Sequence, residues 1–185
     1  MRTAVRAFVD DPLIRWFFPD DDTYAEDSAL FFELQFDMRV EGGEVWTTDD
    51  GVTVAMWDTP GGSRKGQAWR DEAWNAGVVG FPSTARERLE RMGAVVGPLH
   101  LEEAHWYLGI LATHPDWQRM GLGRGVLRPV LAEADRDGLV AALLTETPEN
   151  VAFYRALGFD VAAEPEIPDG PHVWIMRREP GAAAP

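Results

Sequence analysis

The sequence predicts a layered domain of the α/β or α+β class, and three observations carry that prediction. Two continuous apolar runs, 106–113 and 139–144, are typical of strands buried on both faces. Between them, residues 126–134 place apolar side chains on one face of a helix. Earlier in the chain, Asp49, Asp50 and Gly51 separate two β-rich runs, the pattern of a hairpin. Strands and helices that alternate in this way form layers around one core.

Apolar residues at three- and four-residue steps predict helices in the first forty residues, interrupted at Pro12 and Pro19. Residues 60–99 have the least regular pattern, which is typical of an insertion or a substrate-facing segment. Gly138 ends the helix after the first apolar run, as a C-terminal cap residue does. The remaining predicted elements, in order, are a strand at 139–144, a helix at 148–157 and strands at 159–161 and 172–176.

Length and charge limit the classes of function. The chain has 185 residues with 31 acidic and 17 basic side chains, a net charge of −14, and no cysteine. We expect one domain over 1–178 and a disordered tail over 179–185. The acidic balance argues against nucleic acid as a partner and favours a cationic or neutral substrate. No apolar run is long enough to span a membrane and no signal pattern is seen, so we expect a cytoplasmic protein.

A glycine-rich loop between the first apolar strand and its helix is the strongest local signal. Residues 118–125 read Gln-Arg-Met-Gly-Leu-Gly-Arg-Gly. Glycines allow a close backbone approach, and amides at a helix N-terminus favour an anion such as pyrophosphate, which Arg119 and Arg124 would also bind. The spacing excludes a Walker loop and fits a dinucleotide fingerprint poorly. A strand–helix turn without any ligand is the alternative interpretation.

This loop and a second motif together resemble the GNAT superfamily of N-acetyltransferases. The second motif comprises Asn150 and the run from Phe153 to Phe159, Phe-Tyr-x-x-Leu-Gly-Phe. Residues 44–60 and 154–176 further resemble the members of that superfamily that acetylate puromycin, whereas 60–99 match thinly. The resemblance implies a mixed, mostly antiparallel central sheet flanked by helices. That family normally begins with a strand, whereas here a helical pattern follows Met1 almost at once, so either the gene model is truncated or the sheet lacks that strand.

The resemblance implies that acetyl-CoA is the co-substrate. Backbone groups of the first apolar strand would pair with the pantetheine arm, the loop would bind the pyrophosphate, and Asn150 would bind the pantetheine side. The cofactor-binding residues expected on this basis are Leu111, Ala112, Thr113, Gln118, Arg119, Met120, Gly121, Leu122, Gly123, Arg124, Asn150, Phe153 and Tyr154.

The same resemblance assigns two catalytic roles. Tyr154 matches the tyrosine that protonates the leaving thiolate, although a tyrosine beside Phe153 is also typical of a core. Glu146, at the end of the second apolar strand, is the preferred general base, with Glu103, His105 and a chain of water molecules as alternatives. We expect no metal, because the spacing of His100 and His105 does not place both on one helix face.

These observations predict a bacterial N-acetyltransferase in which the primary amine of a small molecule attacks the thioester directly. The acidic balance and a cleft rich in tryptophan suit a puromycin-like or other aromatic amine. Two alternatives remain: a protein or peptide N-acetyltransferase, and a non-catalytic sensor that binds acyl-CoA. The sheet edge left by a missing strand is one that a partner can cover, which is compatible with a homodimer. The tryptophans assigned to the cleft are Trp46, Trp57, Trp69 and Trp74, with the structural core as the favoured alternative for most of them.

Overall fold

The computed structural model describes residues 2–99 and 101–182. Within them, helices and strands follow one another largely as the sequence predicts. The helices are α1 (Arg2–Ala7), α2 (Pro12–Phe17), α3 (Tyr24–Gly42), α4 (Gln67–Val78), α5 (Ser83–Val96), α6 (Leu122–Asp137) and α7 (Pro148–Arg155). The strands are β1 (Glu44–Thr47), β2 (Thr53–Asp58), β3 (His105–Thr113), β4 (Val140–Thr145), β5 (Asp160–Ala163) and β6 (Trp174–Arg178).

The six strands form one mixed sheet in the order β1-β2-β3-β4-β6-β5. Every neighbouring pair is antiparallel except β3 and β4, which are parallel and joined by the crossover helix α6. This confirms the expected mostly antiparallel sheet flanked by helices. Strands β1 and β5 lie at the two edges of the sheet.

The parallel pair β3 and β4 separates before either strand ends. The paired residues run from His105 opposite Val140 to Leu108 opposite Leu143. Strand β3 continues to Thr113 and β4 to Thr145, so the last residues of both strands face a gap. Because backbone groups of an unpaired strand retain hydrogen-bonding capacity, this gap can receive an extended ligand.

Each face of the sheet is covered by a separate hydrophobic core. On one face α6 and α7 pack through residues such as Leu127, Val130 and Tyr154. On the other face α1, α2, α3 and α5 pack through a group of aromatic side chains. The aromatic members of the second core are Phe17, Phe18, Phe31, Phe32 and Phe81. The gap between β3 and β4 therefore opens between two packed layers.

A β-bulge marks the point where β3 begins to separate from β4. Trp57 of β2 pairs with Leu108 and Met56 pairs with Ile110, which leaves Gly109 without a partner in β2. A Cβ on Gly109 would lie 2.0 Å from Nη2 of Arg39, because the guanidinium of Arg39 packs directly against the glycine. Only glycine fits at this position without moving the arginine.

Arg39 belongs to a buried ionic group beneath the bulge. Its Nη2 donates to Oδ2 of Asp58 at 3.0 Å, and Arg70 donates to both carboxylate oxygens of Asp58, at 2.6 and 2.9 Å. Arg39 and Asp58 have side chains only 4% and 8% exposed. The group connects α3, β2 and α4, so it fixes the helices of the second core relative to the sheet.

The last described residues are bonded to the body of the domain. Gly181 donates its amide to Oδ1 of Asp135 at 2.7 Å, and Arg178 donates to the carbonyl of Ala182 at 2.9 Å. Residues 179–182 of the expected disordered tail are therefore held in place, and 183–185 lie outside the described residues. Among the described helices, none is both long and apolar enough to cross a membrane.

Candidate active site

A cavity of about 460 Å³ lies where β3 and β4 separate. Residues 107–111 of β3, residues 144–146 at the end of β4, and Asn150 and Tyr154 of α7 form its sheet side. Phe8, which follows α1, and helices α2 to α5 form the opposite wall, which is mostly apolar and aromatic. Glu146, Tyr154, Asn150 and Leu111, four residues singled out from the sequence, therefore line one cavity.

The glycine-rich loop lies next to this cavity, at the N-terminus of α6. Arg119 (φ 63°) and Gly121 (φ 80°) both adopt left-handed backbone conformations. Helix geometry leaves the amides of the first turn, residues 122–124, without intrahelical acceptors. Backbone of this kind forms anion-binding concavities, and the helix dipole adds a partial positive charge. Arg119 and Met120 are exposed, so solvent and ligand can reach the loop.

Three predicted cofactor-binding segments converge on Gly123. A Cβ placed on Gly123 would lie 3.7 Å from Leu111, 3.7 Å from Phe153 and 3.9 Å from Thr113. These distances are ordinary contacts, so a side chain here would point along the end of β3 without colliding with the protein. Gln118 further ties the loop to β3 by donating to the carbonyl of Thr113 at 3.2 Å. Ala112 contributes backbone only, because its side chain is buried in the second core.

Glu146 forms a carboxyl pair with Asp11, a residue that sequence reasoning did not assign to the site. Asp11 caps α2 by accepting from the amides of Leu13 and Ile14 at 3.0 and 2.9 Å, and its carboxyl group interacts with that of Glu146. Burial raises the pKa of Glu146 well above its usual range, and the charge and hydrogen bond of Asp11 raise it further. Burial also raises the pKa of Asp11, although the helix amides that Asp11 accepts from oppose this rise.

Tyr154 is buried, with 7% of its surface exposed, and packs edge to face against Phe153 and Phe159. Burial raises the pKa of its phenol, with Glu146 and Tyr107 adding to the shift. Because the phenol stays protonated at any working pH, it can donate a proton but cannot act as a base. Tyr154 therefore belongs to the hydrophobic core and also lines the cavity, so the two interpretations of the sequence are compatible.

The other candidates for the general base lie elsewhere. Glu103 is exposed and forms an ion pair with Arg177 outside the cavity. His105 is buried at the start of β3, and its Nδ1 lies 2.7 Å from the carbonyl of Glu103. His100 lies outside the described residues; among the described ones, no group of three or more His, Asp or Glu side chains could hold a metal.

Of the four tryptophans assigned to the cleft, three do not line the cavity. Trp74 lines the cavity, but Trp57 is fully buried in the core beside α6 because β2 is covered on both faces. Trp46 lies on edge strand β1 and donates to Glu44 at 2.9 Å, and Trp69 contacts Lys65. Phenylalanines form most of the aromatic wall instead, namely Phe8, Phe17 and Phe31.

The residues that sequence reasoning missed come from the helical half of the chain. Asp11 precedes Pro12, and an aspartate before proline at a helix start is a recognisable N-cap signature. That pattern predicts the cap but not its proximity to Glu146. Arg39 and Arg70 also line the cavity, and no spacing in the sequence connects them with Asp58.

Residues 75–161 match the family model described as the acetyltransferase (GNAT) domain. That range runs from the end of α4 to β5 and contains the loop, the diverging strands and the candidate catalytic residues. The match covers just under half of the chain. This match supports the expected N-acetyltransferase activity, and it does not show the finer likeness to enzymes that acetylate puromycin.

Solved structures give the same fold. A structure described as histone acetyltransferase HPA2 and related acetyltransferase from Corynebacterium glutamicum ATCC 13032 is 25% identical, with a TM-score of 0.66. The alignment covers 100% of this chain and 91% of that one. A Chaetomium thermophilum protein in complex with a bisubstrate analogue is 15% identical, with a TM-score of 0.50, over 97% of this chain and 81% of that one. The second likeness concerns the fold alone.

Replacement of Glu146 by glutamine is expected to stabilise the fold at neutral and higher pH. Because the folded state raises the pKa of Glu146, the stability that its proton contributes is complete below pH of about 4.5 and is lost as the pH rises through the folded-state pKa. Glutamine stays neutral, so the Tm difference between Glu146→Gln and the wild type should grow with pH. Thermal unfolding between pH 4 and 9 measures it, with exposed Glu149→Gln as the control. A Tm difference that does not change with pH would contradict the raised pKa of Glu146 in the folded state.

Proposed function

We propose that the protein is an acetyl-CoA-dependent N-acetyltransferase acting on the primary amine of a small molecule. The observation that carries this proposal is that Glu146 and Tyr154 line one cavity at the point where β3 and β4 separate. A base for an incoming ammonium group and an acid for a leaving thiolate thus lie beside a gap that suits an extended ligand. The GNAT domain match supports the same reaction type.

The residues present fit acetyl-CoA at this gap. The free edge of β3 over Leu111, Ala112 and Thr113 offers backbone groups to an amide-bearing arm, as an added strand would use them. The amides of residues 119–124 and the side chains of Arg119 and Arg124 offer donors to a pyrophosphate. Asn150 lines the cavity between these two regions. The thioester that this ligand brings supplies an activated acyl carbon.

An acceptor that enters as an ammonium group would lower the raised pKa of Glu146, because its positive charge favours the ionised carboxylate, and Glu146 would release its proton to solvent. Glu146 then takes a proton from the nitrogen, and the free amine attacks the acyl carbon. A carbon–nitrogen bond forms, the carbon–sulfur bond breaks, and Tyr154 donates its proton to the departing sulfur. The chain has no cysteine, so direct transfer is favoured over a cysteine-bound acyl intermediate.

The walls of the cavity support an apolar or aromatic acceptor. Helix α5 contributes Leu89 and Met92, α4 contributes Trp74, and α2 and α3 contribute phenylalanines. Residues 60–99, which the sequence marks as the least regular segment, thus supply much of the wall. We therefore propose a puromycin-like or other aromatic primary amine, within a single acetyltransferase domain over 1–178.

A peptide substrate is the alternative, because a neighbouring fold is described as a histone acetyltransferase. A peptide needs an open groove, whereas α4 and α5 cover the acceptor side of the cavity. The position of Glu146 and Tyr154 also favours catalysis over an acyl-CoA sensor.

Gly123→Asp is expected to abolish the rise in Tm that acetyl-CoA causes in the wild type. A ligand that binds only the folded state stabilises it by mass action, and a carboxylate at this position would repel the pyrophosphate. A Cβ at this position meets only ordinary contacts in the protein, so the backbone need not shift to accept it. Gly125→Asp is the charge-matched control, because a Cβ there lies in open space on another side of α6. If acetyl-CoA raised the Tm equally in the wild type and in both variants, the loop would not be part of the cofactor site.

Tyr154→Phe is expected to lower kcat by about 10²-fold while leaving the affinity for acetyl-CoA nearly unchanged. The assay measures thiol release from acetyl-CoA with puromycin, aminoglycosides, polyamines and peptides as acceptors. Tyr24→Phe is the matched control, because Tyr24 is equally buried but donates to the carbonyl of Val5, away from the cavity.

Two results of that assay would contradict the proposal. If kcat were unchanged in Tyr154→Phe, Tyr154 would have only a structural role. Turnover of peptides alone would replace the small-molecule acceptor with a protein or peptide acceptor.

A further inference from the structure

We propose that Arg39 is a positioning residue for acyl transfer, because it fixes the bulge at Gly109 and thereby the direction of the free amide of Leu111. Arg39 lies on α3 and is not among the cofactor-binding residues that the sequence predicts. This inference rests on the proposed function, since it describes how the same site orients against acetyl-CoA.

The direction of the amides in β3 follows from one hydrogen bond beyond its end. The amide of His114 donates to the carbonyl of Val52 at 2.8 Å, so the backbone groups of His114 point towards β2. Because successive residues of a strand point these groups to opposite sides, the amide of Leu111 points away from β2. On that side β3 pairs with β4 only as far as Leu108. Leu111 therefore has the first amide after the bulge that faces the gap.

A free amide at this position has a chemical use in the proposed reaction. Leu111 lines the cavity together with Glu146 and Tyr154, so its N–H lies beside the groups that would move protons. Negative charge develops on the thioester carbonyl oxygen as the amine adds, and a donor that is already oriented stabilises this charge. A bulge bends its strand and increases the local twist, so the bulge at Gly109 sets the direction of the donor two residues later.

The guanidinium of Arg39 covers the bulge on its glycine. A Cβ placed on Gly109 would have Nη2, Cζ and Nε of Arg39 as its nearest atoms, all within 3.0 Å. Nη2 donates to Asp58 on β2, and Nη1 donates to the side chain of Gln35 on α3. The guanidinium is therefore held from two directions while its surface lies against the glycine.

Fold stability alone does not explain this arrangement. Only 3% of Arg39 is exposed, and its Nε donates to no acceptor in the part of the chain that the structure describes. A buried ion pair often stabilises a fold no better than apolar residues of similar volume, and a buried donor without an acceptor adds a cost. An apolar side chain would not supply a flat, hydrogen-bonded surface against Gly109.

Infrared spectroscopy of bound acetyl-CoA, isotope-labelled at the acetyl carbonyl, tests the proposal without any acceptor. A hydrogen bond to the carbonyl oxygen lowers the stretching frequency of the carbonyl group. We expect this frequency to fall on binding to the wild type, and to fall by less than about half as much in Arg39→Lys, because lysine keeps a charge for Asp58 but has no planar group to cover Gly109. Arg178→Lys is the matched control, since Arg178 is similarly buried and bonded to Asp135, outside the cavity. That variant should show the full shift.

Kinetics and a second substitution give independent checks. With the fastest acceptor of the Tyr154→Phe assay, Arg39→Lys should lower kcat about tenfold or more and leave the KM for acetyl-CoA within about twofold. Gly109→Ala should have the same effect with every charge in place, because the added methyl group displaces the guanidinium. In an Arg39→Ala background, which leaves room for that methyl group, Gly109→Ala should lower kcat no further.

An unchanged carbonyl frequency or an unchanged kcat in Arg39→Lys would overturn the proposal, and Gly109→Ala decides it if the lysine variant does not fold. An equal loss of the shift in Arg178→Lys would also overturn it, because general destabilisation would then explain the effect. So would a wild type in which binding does not lower the frequency. In each of these cases acetyl-CoA still binds and the proposed function stands. If the wild type bound no acetyl-CoA, or transferred acetyl groups to no amine, both proposals would be overturned.

Discussion

The separation of β3 from β4 is the constraint on which the rest of the site depends. Pairing ends at Leu108 and Leu143, and directly afterwards Gly109 bulges out of register with β2. Two parallel strands that stayed paired would close the sheet and leave neither a free strand edge nor a cavity. Because they diverge, the end of β4 carries Glu146 away from β3, while α7 places Tyr154 on the same opening.

Buried ionic groups hold this opening in place. Arg39 fills the space beside Gly109 and is bonded to Asp58, which in turn is bonded to Arg70 on α4. Breaking a buried pair of this kind typically costs about 3–5 kcal/mol, because one charge is left uncompensated. On the other side of the cavity, Asp11 ties the start of α2 to Glu146. The capping bonds that Asp11 accepts from helix amides also oppose the rise that burial causes in its pKa.

Much of the fold and half of the site could be predicted from the sequence. Residues 105–159 combine buried apolar strands, a glycine-rich loop and a short helix, so local patterns specify β3, α6, β4 and α7 and place Gly123, Glu146 and Tyr154 among them. The acceptor side of the cavity could not be predicted, because its residues belong to helices that are far apart in the sequence. Asp11, Arg39 and Arg70 lie far from Glu146 in sequence, and only the packing of α2, α3 and α4 brings them to the cavity. The tryptophan cleft failed for the same reason, since burial of Trp57 depends on layers covering both faces of β2.

Hydrogen exchange with and without acetyl-CoA, followed by mass spectrometry of peptides, tests the central claim that the gap between β3 and β4 is the cofactor site. Backbone amides that bind a ligand exchange more slowly, so protection should concentrate in peptides covering 109–124 and 145–154. Peptides covering edge strand β1 and the β2 hairpin turn should exchange at unchanged rates. Protection at β1, or equal protection throughout the chain, would contradict the account.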